Sequence, residues 1–291
     1  MRKIAVIEVK GGLGNQLFIL NFIQYLENKN FKVYTLTNFY SNQKDNPIGT
    51  DIRDLYLDSG FVNLNIPKLK FSNFLSYIFN KKNQNLNLIQ KIFFRISELL
   101  ICYANDKNLI TKLNSSKRIF FIDGYFQNYK FLQSNISLID RLSYDPKFNF
   151  NLPVKSENIA VVHIRRKDYI DISEELNTSY YENALKLLKK TVGNIKFDVF
   201  TDDIEWCEKN PLFNDAISIK QATHKNTIND FIEMTRYKYF VISNSTYSYM
   251  AAYLSSWDNK IVISPKPWFK KLDFIDYDLI LNPDWEKIKN E

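Results

Sequence analysis

A short apolar run that ends in charged residues is the first place to look for chemistry. Residues 161–168 are VVHIRRKD, so a strand-like stretch leads directly into His163, Arg165 and Arg166. Side chains alternate along a strand, which places His163 and Arg165 on one face and Arg166 on the other. The planar fork of an arginine suits a phosphate better than the point charge of a lysine. We therefore expect His163 and Arg165 to bind one anionic ligand together, and Arg166 to form a structural ion pair, with Asp168 as the candidate partner.

A pair of neighbouring carboxylates follows the next strand-like run. Asp202 and Asp203 stand between residues 196–201 and a helical stretch at 204–210. Aspartate is a strong N-cap, so one of the two is expected to cap that helix. The other can accept hydrogen bonds from the N1 and the exocyclic amine of a guanine. The sequence leaves open which carboxylate has which role.

Four small polar residues mark a third strand end. Ser243, Asn244, Ser245 and Thr246 close the apolar run 239–242 and open the next helix. Hydroxyl groups beside the free backbone N–H groups of a helix start form a ready anion site. Capping alone explains one of these residues, so we predict a ligand-binding role for the segment.

A glycine-rich turn follows the first strand-like run. Within residues 11–16, GGLGNQ, Gly12 and Gly14 allow close approach of backbone to a ligand, and Asn15 and Gln16 offer amide groups. A dinucleotide fingerprint would need a third glycine, and no acidic residue stands at the second strand end to hold a ribose. A nicotinamide or flavin site is therefore a weak alternative, and a tight turn with a capping Asn15 is the other.

The elements that carry these motifs are indicated by hydrophobic periodicity. In the first half we predict strands at 3–9, 32–37 and 119–122, a helix at 17–26, and one or two amphipathic helices within 71–104. Polar residues and two prolines within 145–153 indicate a linker, which divides the chain into domains 1–153 and 154–291.

Strands and helices alternate regularly after that linker. We predict strands at 158–165, 196–201, 217–219, 239–243 and 260–264, and helices at 179–192, 204–210, 228–238 and 247–255. Such alternation is typical of an α/β fold with a parallel sheet, which binds ligands at the carboxyl ends of its strands. A phosphate fork, a base-binding carboxylate and an anion-binding helix start together fit a nucleoside diphosphate. The second domain is therefore predicted to bind a nucleotide sugar.

Composition narrows the class of protein. The chain has 291 residues, 45% of them hydrophobic, and a net charge of +7 that favours an anionic partner. Two cysteines and two histidines, without metal-ligand spacing, predict reduced thiols and no structural zinc. We find neither a signal-peptide pattern nor an apolar stretch near the roughly 20 residues of a membrane span, so a soluble protein is expected.

Several motifs in order resemble a known family. They are GGLGNQLF, DGYFQNYKF, HIRRKDY, FTDDIEW and FVISNSTYSYMAAYL, followed by IVISPKPWF at 261–269. This order resembles the bacterial α-1,2-fucosyltransferases of the HxRRxD type. The chain departs from that pattern at Tyr239, where the family often has histidine, and at Tyr249 and Met250, where it often has paired tryptophans.

The resemblance implies a GT-B fold, with two Rossmann-like domains facing a central cleft, and metal-independent, inverting transfer of L-fucose from GDP-fucose to the 2-hydroxyl of a β-galactoside. It implies that His163 and Arg165 contact the nucleotide, that Arg165 binds the β-phosphate, and that the SNST segment lies against the diphosphate.

The residues predicted to bind the nucleotide sugar are His163, Arg165, Asp202, Asp203, Ser243, Asn244, Ser245, Thr246, Gly12, Gly14 and Asn15. On the acceptor side we predict Gln16, Tyr125 and Gln127. Asp168 is the first candidate for the catalytic base, followed by Asp171, Glu174 and Glu8.

The implied partners are GDP-fucose and a galactose-terminated oligosaccharide, which a lipid carries in surface polysaccharide (O-antigen) synthesis. The expected location is the cytoplasm, with the positive charge and residues 71–104 leaving open a peripheral contact with the inner membrane face. No cofactor, metal or nucleic acid is expected. Alternatives are an α-1,6-fucosyltransferase acting on chitin-like oligosaccharides, a non-catalytic nucleotide-sugar-binding protein and, most remotely, a basic nucleic-acid-binding protein.

Overall fold

Two parallel β-sheets organise the chain in a computed structural model that describes residues 2–37, 55–56, 67, 99–133, 154–272 and 277–290. Contacts divide the chain into two compact units. The first comprises Met1–Ser59, Asn63–Phe126 and Lys130–Leu138, and the second Gly60–Val62, Gln127–Tyr129 and Ile139–Glu291. The predicted α/β class with two Rossmann-like units, which a GT-B fold requires, is confirmed by these two parallel sheets. The residues around the predicted boundary at 153 lie largely outside the described part, and the boundary stays a prediction.

The first unit has a four-stranded sheet in the order β2-β1-β4-β3, with every pairing parallel. Its strands are β1 Lys3–Glu8, β2 Phe31–Leu36, β3 Ile101–Asn105 and β4 Ile119–Asp123. Three helices follow strands or turns of this unit: α1 Leu13–Asn28, α2 Leu109–Leu113 and α3 Tyr129–Gln133. Helix α1 is apolar on nearly all sides and is accordingly buried around most of its circumference.

One part of the helical prediction for residues 71–104 is wrong. Ile101–Asn105 is strand β3, which pairs in parallel with β4. Its buried residues alternate, with Cys102 and Ala104 facing one side and Tyr103 stacked on Phe121 on the other. This period of two is that of a strand. It was not recognised in the sequence because no glycine or proline separates these residues from the long apolar stretch before them. Residues 71–98 lie outside the described part.

The second unit has a six-stranded, entirely parallel sheet in the order β10-β9-β8-β5-β6-β7. The strands are β5 Ile159–Ile164, β6 Lys196–Thr201, β7 Ser218–Gln221, β8 Tyr239–Val241, β9 Ile261–Lys266 and β10 Glu286–Lys289. The helices are α4 Lys167–Asp171, α5 Thr178–Val192, α6 Ile204–Lys209, α7 Thr227–Met234 and α8 Thr246–Tyr253. Every strand and helix predicted after the linker is present, with ends shifted by a few residues, while α4 and β10 were not predicted.

Strand β5 lies at the point where the strand order reverses. From β5 the chain builds the sheet outward through β6 and β7, then returns to the other side of β5 with β8, β9 and β10. In open parallel sheets the crevice at such a reversal, outside the carboxyl ends of the strands, is where ligands bind. The polar residues after β5, β6 and β8 all lie at this edge.

No helix within the described ranges is long and apolar enough to cross a membrane.

Candidate functional site

His163 and Ser243 join the two strands that flank the strand-order reversal. His163 is the fifth residue of β5, and Ser243 follows β8; the His163 Nδ1 and the Ser243 Oγ are 2.8 Å apart. His163 is 5% exposed and Ser243 is fully buried. Burial, and to a lesser degree the charge of Arg165, lowers the pKa of His163 to about 3. His163 is therefore neutral near pH 7.

Arg165 carries the fixed positive charge of the site. Its Nε and Nη2 donate to the two carboxylate oxygens of Asp168, each at 2.8 Å, and its Nε lies 3.3 Å from Asp202 Oδ2. The Arg165 side chain keeps 19% of its surface exposed. Although burial opposes the charge, the hydrogen bonds and charges of its carboxylate partners raise the pKa of Arg165 above its usual value. A permanently charged, oriented guanidinium thus stands at the carboxyl end of β5.

Arg166 points to the other side, as predicted, but its partner differs from the one expected. Its Nε donates to Asp203 Oδ2 at 3.1 Å, and its guanidinium carbon lies 4.1 Å from the ring centroid of Trp206. Asp168 instead pairs with Arg165. The first turn of α4 explains the change, because position i+3 of a helical turn lies beside position i and brings Asp168 back to Arg165.

Asp203 is the helix cap of the carboxylate pair. It is the N-cap of α6, where its Oδ1 accepts from the backbone N–H of Trp206 at 3.2 Å. Asp202 Oδ1 and Oδ2 accept from the backbone N–H groups of Arg166 and Lys167 at 2.9 and 3.3 Å. The expectation that one of the pair caps the helix is confirmed. Since Asp202 is almost buried and shapes the β5–α4 turn, the base-binding role predicted for one of these carboxylates stays a prediction.

The SNST segment forms a turn between β8 and α8. Ser245 is the N-cap of α8 and its side chain makes no capping hydrogen bond, while Thr246 is partly exposed at the first helical position. Ser243 and Asn244 are fully buried. Asn244 Nδ2 donates to the backbone oxygen of Glu174 at 2.8 Å. These two side chains support the turn from within the unit, and the ligand-binding role predicted for the segment stays a prediction.

Glu174 has a structural role instead of that of a base. It is fully buried, and its carboxylate accepts from the backbone N–H groups of Lys270, Lys271 and Leu272 at 2.6, 2.6 and 2.9 Å. A carboxylate whose lone pairs are used in this way is not available to take a proton from a substrate. Among the other base candidates Asp171 is exposed, and burial raises the pKa of Glu8 in the first unit.

Tyr169 was not among the predicted site residues, and Glu174 was predicted only as a candidate base. Tyr169 follows Asp168, and its hydroxyl donates to the backbone oxygen of Asn244 at 3.0 Å. The Tyr169 backbone oxygen in turn accepts from Glu174 N at 2.8 Å. Together they connect the segment after β5 to the turn after β8. Only the position of Tyr169 directly behind the charged motif, in HIRRKDY, pointed to it.

In the first unit, the glycine turn follows β1. Gly11 has a φ of 79°, and a Cβ there would lie 2.6 Å from Asn15 Nδ2, so only glycine fits. Gly12 is the N-cap of α1, which places Asn15 inside the helix instead of at its cap. Gln16 is fully buried; its Nε2 donates to Gly11 O at 3.0 Å and its Oε1 accepts from Tyr56 N at 2.9 Å. Gln16 shapes the turn, and its role on the acceptor side stays a prediction.

Tyr125 lies at the same edge of the first sheet. Its backbone N–H and that of Phe126 donate to the two oxygens of Asp106, each at 2.9 Å. Its ring lies 5.0 Å from Lys10 Nζ, and Lys10 forms an ion pair with Asp123 at the end of β4. Gln127 groups with the second unit. Gly12, Gly14 and Asn15 lie in the first unit, so the predicted nucleotide-binding set is distributed over both units, and these roles stay predictions.

Two bacterial sequences resemble this chain. An alpha-1,2-colitosyltransferase of Escherichia coli is 29% identical over 299 residues, covering 94% of this chain and 96% of that protein. The O-antigen biosynthesis glycosyltransferase WbnK of Escherichia coli is 32% identical over 123 residues, covering 40% of each chain.

Solved structures give a weaker likeness. ADP-heptose LPS heptosyltransferase II of Escherichia coli superposes with a TM-score of 0.46 at 12% identity, covering 98% of this chain and 90% of that one. Fucosyltransferase NodZ from Bradyrhizobium gives a TM-score of 0.43 at 13% identity, covering 87% and 93%. At these scores the superpositions add nothing to the α/β class that the sheets already show.

The sequence model of glycosyl transferase family 11 matches residues 108–289. That range is more than half of the chain and contains the whole second sheet together with the charged motif after β5. The family predicted from the ordered motifs is therefore confirmed, and the chain belongs to glycosyl transferase family 11.

Proposed function

We propose that this glycosyltransferase moves L-fucose from GDP-fucose to the 2-hydroxyl of a β-galactoside, with inversion at the anomeric carbon, during synthesis of an O-antigen-like surface polysaccharide. Its family membership and its resemblance to an O-antigen glycosyltransferase support the reaction class. Inversion follows from the chemistry, because GDP-fucose is β-linked and the product is α-linked.

The observation that carries the proposal is the position of Arg165. Arg165 stands at the carboxyl end of β5, the strand at which the sheet order reverses. On the same strand, His163 contacts Ser243 at the start of the β8–α8 turn. The Arg165 guanidinium is held by two carboxylates and is still partly exposed. This is the placement that a diphosphate requires.

Arg165 has its largest effect as the glycosidic bond breaks. Negative charge then develops on the departing β-phosphate, and a donor already fixed in place stabilises this state more than the bound donor sugar. The start of α8, with Ser245 as its N-cap, adds a second source of positive potential through the helix dipole. We propose that these groups do the work for which other transferases use a divalent metal.

Asp168 is proposed to orient Arg165. Both of its carboxylate oxygens accept from the guanidinium, which weakens its ability to take a proton from an acceptor hydroxyl. Its role as the base stays an alternative, which the pH dependence of turnover decides.

For the guanine we propose Asp203. Its side chain is 24% exposed whereas that of Asp202 is 8% exposed, so Asp203 offers more of its carboxylate to a ligand. The acceptor is proposed to bind at the edge of the first sheet that carries Tyr125.

A second donor has a specific observation in its favour. The relative that matches 94% of this chain is a colitosyltransferase, and colitose is a fucose without its 3-hydroxyl. GDP-colitose is therefore the alternative donor for the same reaction.

One experiment tests the function. The purified protein is incubated with GDP-fucose or GDP-colitose and a panel of β-galactosides, with and without EDTA, and the linkage of each product is determined by NMR. We expect an α-1,2-linked product that forms equally well in EDTA, and none with Arg165→Ala. An α-1,6 linkage, or binding of the donor without transfer, would contradict the proposal.

A further inference from the structure

Three partly buried aromatic side chains lie together at the carboxyl edge of the second sheet. Tyr169 is in α4 after β5, Phe269 follows β9, and Tyr277 begins a short 3-10 helix. The ring of Phe269 lies 6.0 Å from that of Tyr169 and 4.7 Å, edge to face, from that of Tyr277. We call these three residues the aromatic cluster. Each keeps part of its surface accessible.

The aromatic cluster is anchored to the core by polar contacts. The Tyr169 hydroxyl is fixed on Asn244 O at 3.0 Å. Behind Phe269, the buried carboxylate of Glu174 holds the next three backbone N–H groups, those of residues 270–272. The fully buried Trp268 precedes Phe269, and their rings are 6.4 Å apart. The rings are thus presented by a rigid frame, as a precise binding surface requires.

The place of the aromatic cluster in the sheet indicates which part of a ligand would meet it. Tyr169 is adjacent in sequence to Asp168, the partner of Arg165, and it contacts the turn before α8. Phe269 follows β9, two strands from β5, whereas Asp203 follows β6 on the other side of β5. A nucleotide sugar with its diphosphate at Arg165 and its base toward β6 therefore directs its sugar toward β8 and β9.

We propose that the aromatic cluster of Tyr169, Phe269 and Tyr277 is the subsite for the C6 methyl edge of the transferred sugar, and that it selects 6-deoxy-sugars over sugars with a 6-hydroxyl. This subsite rests on the proposed function, but it holds for either candidate donor, because fucose and colitose both end in a methyl group at C6. An aromatic surface binds a methyl group by excluding water from both. A 6-hydroxyl packed against the carbon atoms of these rings would lose hydrogen bonds to water.

The test compares two donors that differ by one atom. GDP-L-galactose is GDP-fucose with a hydroxyl on C6, and an apolar pocket rejects an added hydroxyl by on the order of a hundredfold. We expect the unaltered chain to prefer GDP-fucose in kcat/KM by about that ratio. Phe269→Ala should reduce the ratio about tenfold, mainly by slowing transfer of fucose. Phe269→Leu, which keeps an apolar side chain, should give an intermediate ratio.

GDP binding and a matched variant separate a sugar contact from a structural effect. GDP has no sugar to be transferred, so calorimetry should show the same affinity for GDP in Phe269→Leu as in the unaltered chain. Ile217→Ala removes an apolar side chain that is 50% exposed beside the start of β7, at the opposite edge of the sheet, and should leave the donor ratio unchanged.

The outcomes distinguish this proposal from the one on which it rests. If the unaltered chain transfers fucose and both Phe269 variants keep its donor ratio, the subsite is overturned while the function stands. A parallel loss of GDP affinity and of transfer from both donors would also overturn it, because the residue would then act through the fold. Absence of transfer from both GDP-fucose and GDP-colitose by the unaltered chain overturns the proposed function and the subsite with it.

Discussion

Arg165 and Asp168 form an ion pair with two parallel hydrogen bonds, from Nε and Nη2 to the two carboxylate oxygens, each 2.8 Å long. The pair is three residues apart in sequence and closes over the first turn of α4. Asp202 approaches the same guanidinium from the end of β6, at 3.3 Å. The arginine is therefore oriented before any ligand arrives, which lowers the cost of aligning it with a leaving phosphate.

Replacing Arg165 tests that arrangement. We expect Arg165→Lys to keep the fold and the positive charge but to lose the two-point geometry, with kcat lower by at least about a hundredfold. Arg165→Ala should abolish measurable transfer. The measurement is donor-saturated turnover, with circular dichroism to verify folding. Arg2→Ala, which removes an exposed guanidinium that donates to Asn30 Oδ1, is the control. Near-normal turnover of Arg165→Ala would show that another group stabilises the leaving phosphate.

Asp168→Asn separates orientation from base catalysis. If Asp168 orients Arg165, the variant should bind GDP several-fold more weakly and lose turnover, because an amide accepts only one of the two hydrogen bonds. The acidic limb of the plot of kcat against pH should then remain. Loss of that limb, with unchanged GDP affinity, would instead identify Asp168 as the base.

Asp203→Asn tests recognition of guanine. An asparagine still caps helix α6, so the fold should persist. We expect the unaltered chain to bind GDP more tightly than inosine diphosphate, which lacks the exocyclic amine, and the variant to lose most of that difference. Calorimetry with the two nucleotides measures it. A preference for GDP that survives in Asp203→Asn would place base recognition on other groups.

The buried, neutral His163 predicts a specific pH dependence of stability. Its pKa is about 3 in the folded chain against 6.5 for an ordinary histidine, so the unfolded chain binds a proton that the folded chain does not between these values. Stability is then lost as the pH falls below about 6.5, by about 1.4 kcal/mol per pH unit. His163→Gln should lack this contribution. Urea denaturation of both proteins from pH 7 to pH 5 should show their difference in unfolding free energy change by about 2 kcal/mol. Parallel pH profiles would show that His163 is not buried in the neutral form.

Glu174→Gln tests the anchor behind Phe269. The substitution replaces one carboxylate oxygen with an amide NH2 group, which faces the backbone N–H groups that donate to Glu174. A buried donor without a partner lowers the free energy of unfolding by about 1–3 kcal/mol. Glu182→Gln is the control: Glu182 is exposed and pairs with Lys186 on helix α5, so the substitution should cost less than about 0.5 kcal/mol. Equal unfolding midpoints for the two variants would contradict the structural role of Glu174.

The sequence by itself determined the class and the place of the site. Apolar runs bounded by turns located eight of the ten strands in the described part of the chain. Strand β3 was predicted as helix because no glycine or proline separates it from the apolar stretch before it, and β10 was missed because charged residues interrupt it. The alternation from β5 to β9 was predicted because apolar, β-branched runs there are separated from helical stretches by turn residues. The end of β5 was recognisable as a candidate site because charged side chains directly after a buried strand require a binding partner.

Only the tertiary structure decided which polar residues contact each other. Alternation correctly placed Arg165 and Arg166 on opposite sides, but the choice between Asp168 and Asp203 as partner depended on the turn of α4 and on the adjacency of β5 and β6. Burial likewise made His163 neutral and removed Glu174 from the candidate bases, and neither outcome is visible in residue type. Periodicity within a segment shows where helices and strands lie and which face each residue occupies. The hydrogen-bond and ion-pair partners of a residue, and its pKa, depend on groups that the fold brings together from distant parts of the chain.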